Sequence, residues 1–89
     1  MTLYFETYAG SLFGKAVLMD NEHIVAQINI RANNSKELVD DLASYISKYN
    51  VDCVQTNNSA YVAQEIEQKI NEVLINKYSY GKYIRMVCK

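Results

Sequence analysis

"VDCVQTNNSAYVAQEIEQKI", residues 51–70, changes its periodicity within one short run. Val51, Val54 and their neighbours form a brief β-branched stretch, too short for a helix, which predicts a strand. Gln55, Thr56, Asn57, Asn58 and Ser59 are polar turn-formers without an acid among them. From there Val62, Ile66, Ile70, Val73 and Leu74 recur at three- and four-residue spacing, the apolar stripe of an amphipathic helix over 58–77. On this phase Ile66 belongs to the core and Glu67 to the surface. A strand running straight into a helix is half of a parallel crossover, so the flanking segments decide the fold.

Upstream, "NNSKELVDDLASYISKYN" has the helical period, with Leu38, Leu42, Tyr45, Ile46 and Tyr49 on one side. Asn34 and Glu37 have capping-box spacing. Asn50 is a plausible stop because asparagine tolerates the left-handed conformation. Before it, "TLYFET" predicts a strand over about 2–8 by its alternation, and "AGSLFG" a turn with Gly10 and Gly14 free to take unusual backbone angles. "KAVLMD" predicts a second strand, and "DNEH" a tight polar connection. "HIVAQINIRA" predicts a half-buried third strand, with Ile24, Ala26, Ile28 and Ile30 on one face and Val25, Gln27, Asn29 and Arg31 on the other. Downstream, "KYIRMVC" predicts a last strand. The order is β-β-β-α-β-α-β: an α/β domain over 1–89 with a mixed five-stranded sheet. Strand one is expected beside strand four, and helices on one or both faces.

Eighty-nine residues, 49% of them apolar, suffice for one small core. Proline is absent and glycine scarce, so no linker announces itself. Residues 36–72 hold seven acids against three lysines, whereas 77–89 hold Lys77, Lys82, Arg85 and Lys89 and no acid. Solvated helix faces and a basic last strand account for that pattern. Cys53 and Cys88 lack metal or redox spacing and sit in apolar runs, which predicts small buried hydrophobes in a reducing compartment. The first residues lack the basic and apolar regions of a secretory leader, and no run has the length of a membrane span. A cytoplasmic protein is the expectation.

The same pieces resemble the ribonuclease H-like fold along nearly the whole chain. "LYFETYAG" looks like its first strand, "GKAVLMDNEHIVAQ" its second and third, "NNSKEL" the entry to its first helix, and "VQTNNSAYVAQEI" its fourth strand and following helix. The resemblance implies metal-binding acids at set places. Glu6 matches the first-strand acid, where the family normally has aspartate. Glu37 matches the acid of the first helix. Asn58 stands where the fourth-strand aspartate belongs, and the fourth acid would lie on a further helix. Two-metal phosphodiester cleavage needs several carboxylates to hold cations about 3.5–4 Å apart. Two acids and one amide suit at most one weakly held Mg2+. Glu6 is equally an ordinary strand residue, and Glu37 equally the closing member of a capping box.

No cysteine–histidine set suggests zinc. His23 is a lone histidine in a hairpin. Gly10, Ser11 and Gly14 are too sparse for a phosphate loop. In the last segment Tyr78, Tyr80 and Tyr83 interleave with Lys77, Lys82 and Arg85. Tyr78, Tyr80, Lys82, Tyr83 and Arg85 therefore form a candidate binding set. The mixture suits a protein interface, single-stranded nucleic acid, or a tyrosine-covered sheet edge. Two functions follow. One is a non-enzymatic protein-binding module without a cofactor, an inhibitor or adaptor of the kind carried by phages and mobile elements, acting on a host protein or nucleoprotein complex. The alternative is a Mg2+-dependent nuclease using Glu6, Glu37 and Asn58, completed by homodimerisation or a partner.

Overall fold

The computed structural model describes residues 1–7 and 13–88. The elements are β1 (Thr2–Thr7), β2 (Phe13–Asp20), β3 (His23–Arg31), α1 (Ser35–Tyr49), β4 (Cys53–Thr56), α2 (Ala60–Tyr78) and β5 (Arg85–Cys88). They form one mixed sheet in the order β3-β2-β1-β4-β5. β1 pairs with β2 antiparallel and with β4 in parallel; β4 pairs with β5 in parallel. Strand one lies beside strand four, as expected.

This topology dictates a single helix layer. β3, β1, β4 and β5 point the same way, and both crossovers step toward the β5 side of the sheet. Right-handed crossovers stepping in one direction put both helices on the same face. Burial follows. Leu3, Phe5, Ala16, Leu18, Val54 and Thr56 are fully buried under the helices. Their alternating neighbours Tyr4, Glu6, Val17, Met19, Cys53 and Gln55 are half-buried on the opposite, helix-free face.

The caps are local. Asn34 precedes α1, and its side chain accepts from Glu37 N–H at 2.9 Å. Glu37 reaches back to Asn33 N–H at 3.1 Å. Asn50 ends α1 at φ 54°. Ser59 opens α2, its hydroxyl accepting from Val62 N–H at 3.4 Å.

Several sequence expectations are corrected. In α2 Ile70 and Leu74 of the expected stripe are buried, Ile66 and Val73 are half-buried against the core and Val62 is exposed, while Ala63 and Asn71 are buried beside them. The helix is rotated from its apolar stripe because two polar side chains face inward. Asn71 makes a reciprocal pair with the Ile84 backbone, Oδ1 accepting from N–H at 2.8 Å and Nδ2 donating to the carbonyl at 2.9 Å. Glu67 accepts from Met86 N–H at 2.7 Å and from the Tyr83 hydroxyl at 2.8 Å. In β3 a bulge sets Met19 opposite Ile24 and Leu18 opposite Ala26. Val25 is the extra residue, so Ile24 leaves the face of Ala26, Ile28 and Ile30 and is 67% exposed.

Gly14 serves close approach rather than unusual angles: a Cβ there would run into the Glu6 carbonyl oxygen. Gly10 lies outside the described residues. Cys53 is half-buried and Cys88 exposed, both free, rather than core hydrophobes. β4 and β5 are each four residues long, so Cys88 reaches the end of the helix cover.

The inward turn of Glu67 changes the expected mutational pattern at that position, while Ile70 stays a core residue. Ile70→Ala should cost about 2–5 kcal/mol for a buried aliphatic. Glu67→Ala should cost about 1–3 kcal/mol, because it orphans the Met86 amide. Ile75→Ala, at a residue 61% exposed, should stay within about 0.5 kcal/mol. Urea unfolding of the three variants checks the order.

Candidate functional site

The polar turn after β4 is a brace. Asn57 Oδ1 accepts from Thr7 N–H, and its Nδ2 donates to the Thr7 carbonyl, both at 3.3 Å. A side-chain amide thus continues the parallel β1–β4 ladder where the strands end. Asn58 Oδ1 accepts from the Thr7 hydroxyl at 3.2 Å. Its Nδ2 and N–H both donate to Thr56 Oγ1, at 2.9 and 3.2 Å. Thr56 is completely buried, so its hydroxyl needs these partners. Ser59 performs the capping, and Asn58 is committed to tying two strand ends together.

The three residues of the nuclease reading are not brought together. Glu6 lies on the helix-free face, its Oε2 accepting from the Tyr4 hydroxyl at 3.1 Å and its Oε1 3.6 Å from Lys15 Nζ. Burial first, then Glu6, raises the pKa of Tyr4. Glu37 sits in the helix layer, on the other side of the sheet, bonded to Asn33. Among the described residues no three acids, histidines or cysteines are grouped as metal ligands.

A cleft of about 130 Å³ opens beside the brace, lined among others by Phe5, Thr7, Ser35, Asn58, Glu65 and Lys69. It is small against the ~300–1,000 Å³ of ligand pockets. Glu65 and Lys69 in it already pair with each other at 3.1 Å.

The tyrosine-rich segment is divided as well. Tyr78 is half-buried and packs against the core. The Tyr80 hydroxyl donates to the Val51 carbonyl at 2.8 Å, and burial raises its pKa. Lys82 Nζ pairs with Asp52 at 2.7 Å, and Asp52 also holds the N-terminal ammonium at 2.8 Å. These two cations, Lys82 first, lower the Asp52 carboxyl to about 2. Tyr83 is 60% exposed but bonded to Glu67, which raises its pKa. Arg85 stands exposed on the helix-free face, in register with Cys53. Three of the five candidates therefore spend their polar groups on the fold.

The face that sequence reasoning missed is the helix-free side of the sheet. Register sets Gln27, Val17, Tyr4, Gln55 and Val87 in one row across it, with Asn29, Lys15 and Glu6 in the next. Val87 is 51% exposed. The alternation in each strand was the available signal, but it gives two faces without saying which one the helices leave bare. No protein-family model and no curated protein matches the chain.

Two measurements check this geometry. Asn58→Ala should lower stability by about 1–3 kcal/mol, the cost of stripping partners from a buried hydroxyl. Ser59→Ala should lose about 0.5–2 kcal/mol, as for an ordinary cap. Asp52 has a folded pKa below its ordinary value of 3.8. Its contribution is therefore present above the unfolded pKa and lost as pH falls from about 4 toward 2. Replacing it, Asp52→Asn, should flatten the acid limb of a stability–pH profile in that window and leave stability between pH 6 and 8 nearly parallel to the parent's.

Proposed function

We propose that the chain is a non-enzymatic protein-binding module, built on a reduced ribonuclease H-like scaffold, that docks through the helix-free face of its sheet. The observation that carries this reading is the character of that face. Half-buried Tyr4, Val17 and Met19 form an apolar centre. Lys15, Arg31 and Arg85 surround it against one acid, Glu6, a local excess of two positive charges counted over these four residues. A protein partner with an apolar centre and an acidic rim complements it. Such a module acts by occupying its partner's surface, which suits an inhibitor or adaptor of the kind that phages and mobile elements direct at a host protein or nucleoprotein complex.

The element order and the adjacency of β1 and β4 support the ribonuclease H-like reading of the scaffold. The nuclease alternative has less support. It asks Glu6 and Glu37 to share Mg2+ from opposite sides of the sheet, and it asks Asn58 to leave the Thr56 hydroxyl.

Affinity capture from a lysate of the native host tests the proposal. The unaltered protein is used as bait beside Val87→Asp/Arg85→Glu on the helix-free face and Glu72→Ala on the helix layer. The captured partner should bind the double variant at least about 10-fold more weakly and the helix-layer variant unchanged. Equal binding by all three baits, or Mg2+-dependent cleavage of DNA, RNA or hybrid duplex by the unaltered protein, would overturn it.

A further inference from the structure

The two edges of the sheet are finished differently. At the β5 edge, α2 answers the outward backbone groups. Asn71 satisfies both polar groups of Ile84, and Glu67 takes the Met86 amide. This edge is also short, four residues. β3 is nine residues long and pairs on one side, with β2. Among the described residues nothing bonds to its outer side.

Native edge strands normally carry charges, proline or a bulge that prevent pairing with another chain. β3 has a bulge at Val25, near its start. From Ile24 to Ile30 it has neither a charge nor a proline. Ala26 and Ile28 remain half-buried there, at the margin of the helix layer. The edge thus presents an uncharged ladder of backbone groups beside incompletely covered apolar side chains.

We infer that this edge is the contact of a homodimer, in which β3 of a second copy pairs antiparallel with β3 about a two-fold axis at Ile28. The choice of a second copy rests on self-complementarity. With the axis perpendicular to the sheet, both helix layers stay on one side. Ile28 then meets Ile28 of the second copy, Ala26 meets Ile30, and Gln27 meets Asn29. The apolar pairs fall under the helices, and the amide pairs fall on the helix-free face, where they hydrogen-bond to each other. Arg31 meets Val25, so no like charges oppose. An isologous contact needs this property of one patch matching itself. The two five-stranded sheets become one continuous sheet of ten strands. The partner surface proposed above centres on Tyr4, Val17 and Met19 of the face, and the dimer contact on the β3 edge; Arg31 borders both.

One strand per copy is a small contact beside the ~1,200–2,000 Å² of standard interfaces, so association belongs in the micromolar range rather than below it. Sedimentation equilibrium from about 10 to 500 μM covers that range. The unaltered protein should pass from the monomer mass to twice that mass. Gln27→Lys/Asn29→Lys sets lysine against lysine at both amide pairs and should weaken association at least about 10-fold. Both side chains are exposed, so circular dichroism and melting temperature should match the parent. Gln27→Lys/Asn29→Glu sets opposite charges across the same pairs and should restore the dimer. A monomer at every concentration overturns the inference. So does a dimer indifferent to the double lysine variant, or a failure of the lysine–glutamate variant to restore it.

Discussion

Both helical crossovers step the same way across the sheet, and the rest of the molecule is a consequence of that constraint. Because right-handedness applies to each crossover separately, α1 and α2 are forced onto one side of the sheet. One core forms, between Leu3, Phe5, Leu18 and Val54 of the sheet and Leu42, Ile46, Ile70 and Leu74 of the helices. Among the described residues, no helix covers the reverse side. A five-stranded sheet with one bare face has to make that face tolerable to water, and here it does so with Lys15, Gln27, Asn29, Gln55 and Arg85 around a narrow apolar middle. Most acids lie on the helix layer, where Lys36, Lys48, Lys69 and Lys77 accompany them, whereas the helix-free face has Lys15, Arg31 and Arg85 against Glu6.

Polar side chains do much of the joining that a larger protein would leave to backbone. Asn57 extends the β1–β4 ladder past its last residue. Asn71 and Glu67 stand in for a sixth strand along β5. Tyr80 and Lys82 fasten the approach to β5 onto the α1–β4 connection. Short strands explain the pattern. β4 and β5 hold four residues each, and each needs its unpaired backbone groups satisfied where burial excludes water. Side-chain amides suit this work because each carries a donor and an acceptor, as a peptide group does. The same use of amides weakens a catalytic interpretation of the turn after β4. An asparagine with both ends engaged is a poor metal ligand, whatever its place in the sequence.

The sheet's two margins illustrate how much depends on helix placement. α2 lies along β5 and closes it; among the described residues no element lies along the outer side of β3. The difference follows from chain order, since the chain enters α1 from β3 and crosses away over the sheet. An uncovered face and an uncovered edge thus arise from one topological choice, and they offer two distinct contacts, one to a partner of different sequence and one to a second copy.

Element order, parallel pairing and the adjacency of strands one and four were legible in the sequence, because they rest on local periodicity and on the handedness of crossovers. The caps at Asn34 and Asn50 were legible for the same reason, each depending on residues within one helical turn. The phase of α2 was not. Its apolar stripe rightly includes Ile70 and Leu74, but the buried surface is turned toward Glu67 and Asn71 and away from Val62, and their partners Met86 and Ile84 lie far along the chain. Hydrophobic periodicity has no knowledge of backbone groups waiting at a sheet edge. The bulge at Val25 was equally hidden, since one inserted residue leaves the alternation of β3 looking intact while it turns Ile24 outward. The tyrosine-rich segment read as one surface because its aromatics and cations are contiguous. Folding distributes them, since Tyr80 and Lys82 meet Val51, Asn50 and Asp52 across the fold, and only Arg85 is left on the open sheet. Sequence determined which residues could pair, cap and alternate. Tertiary structure decided which face would stay bare, because that depends on the direction in which two distant crossovers close.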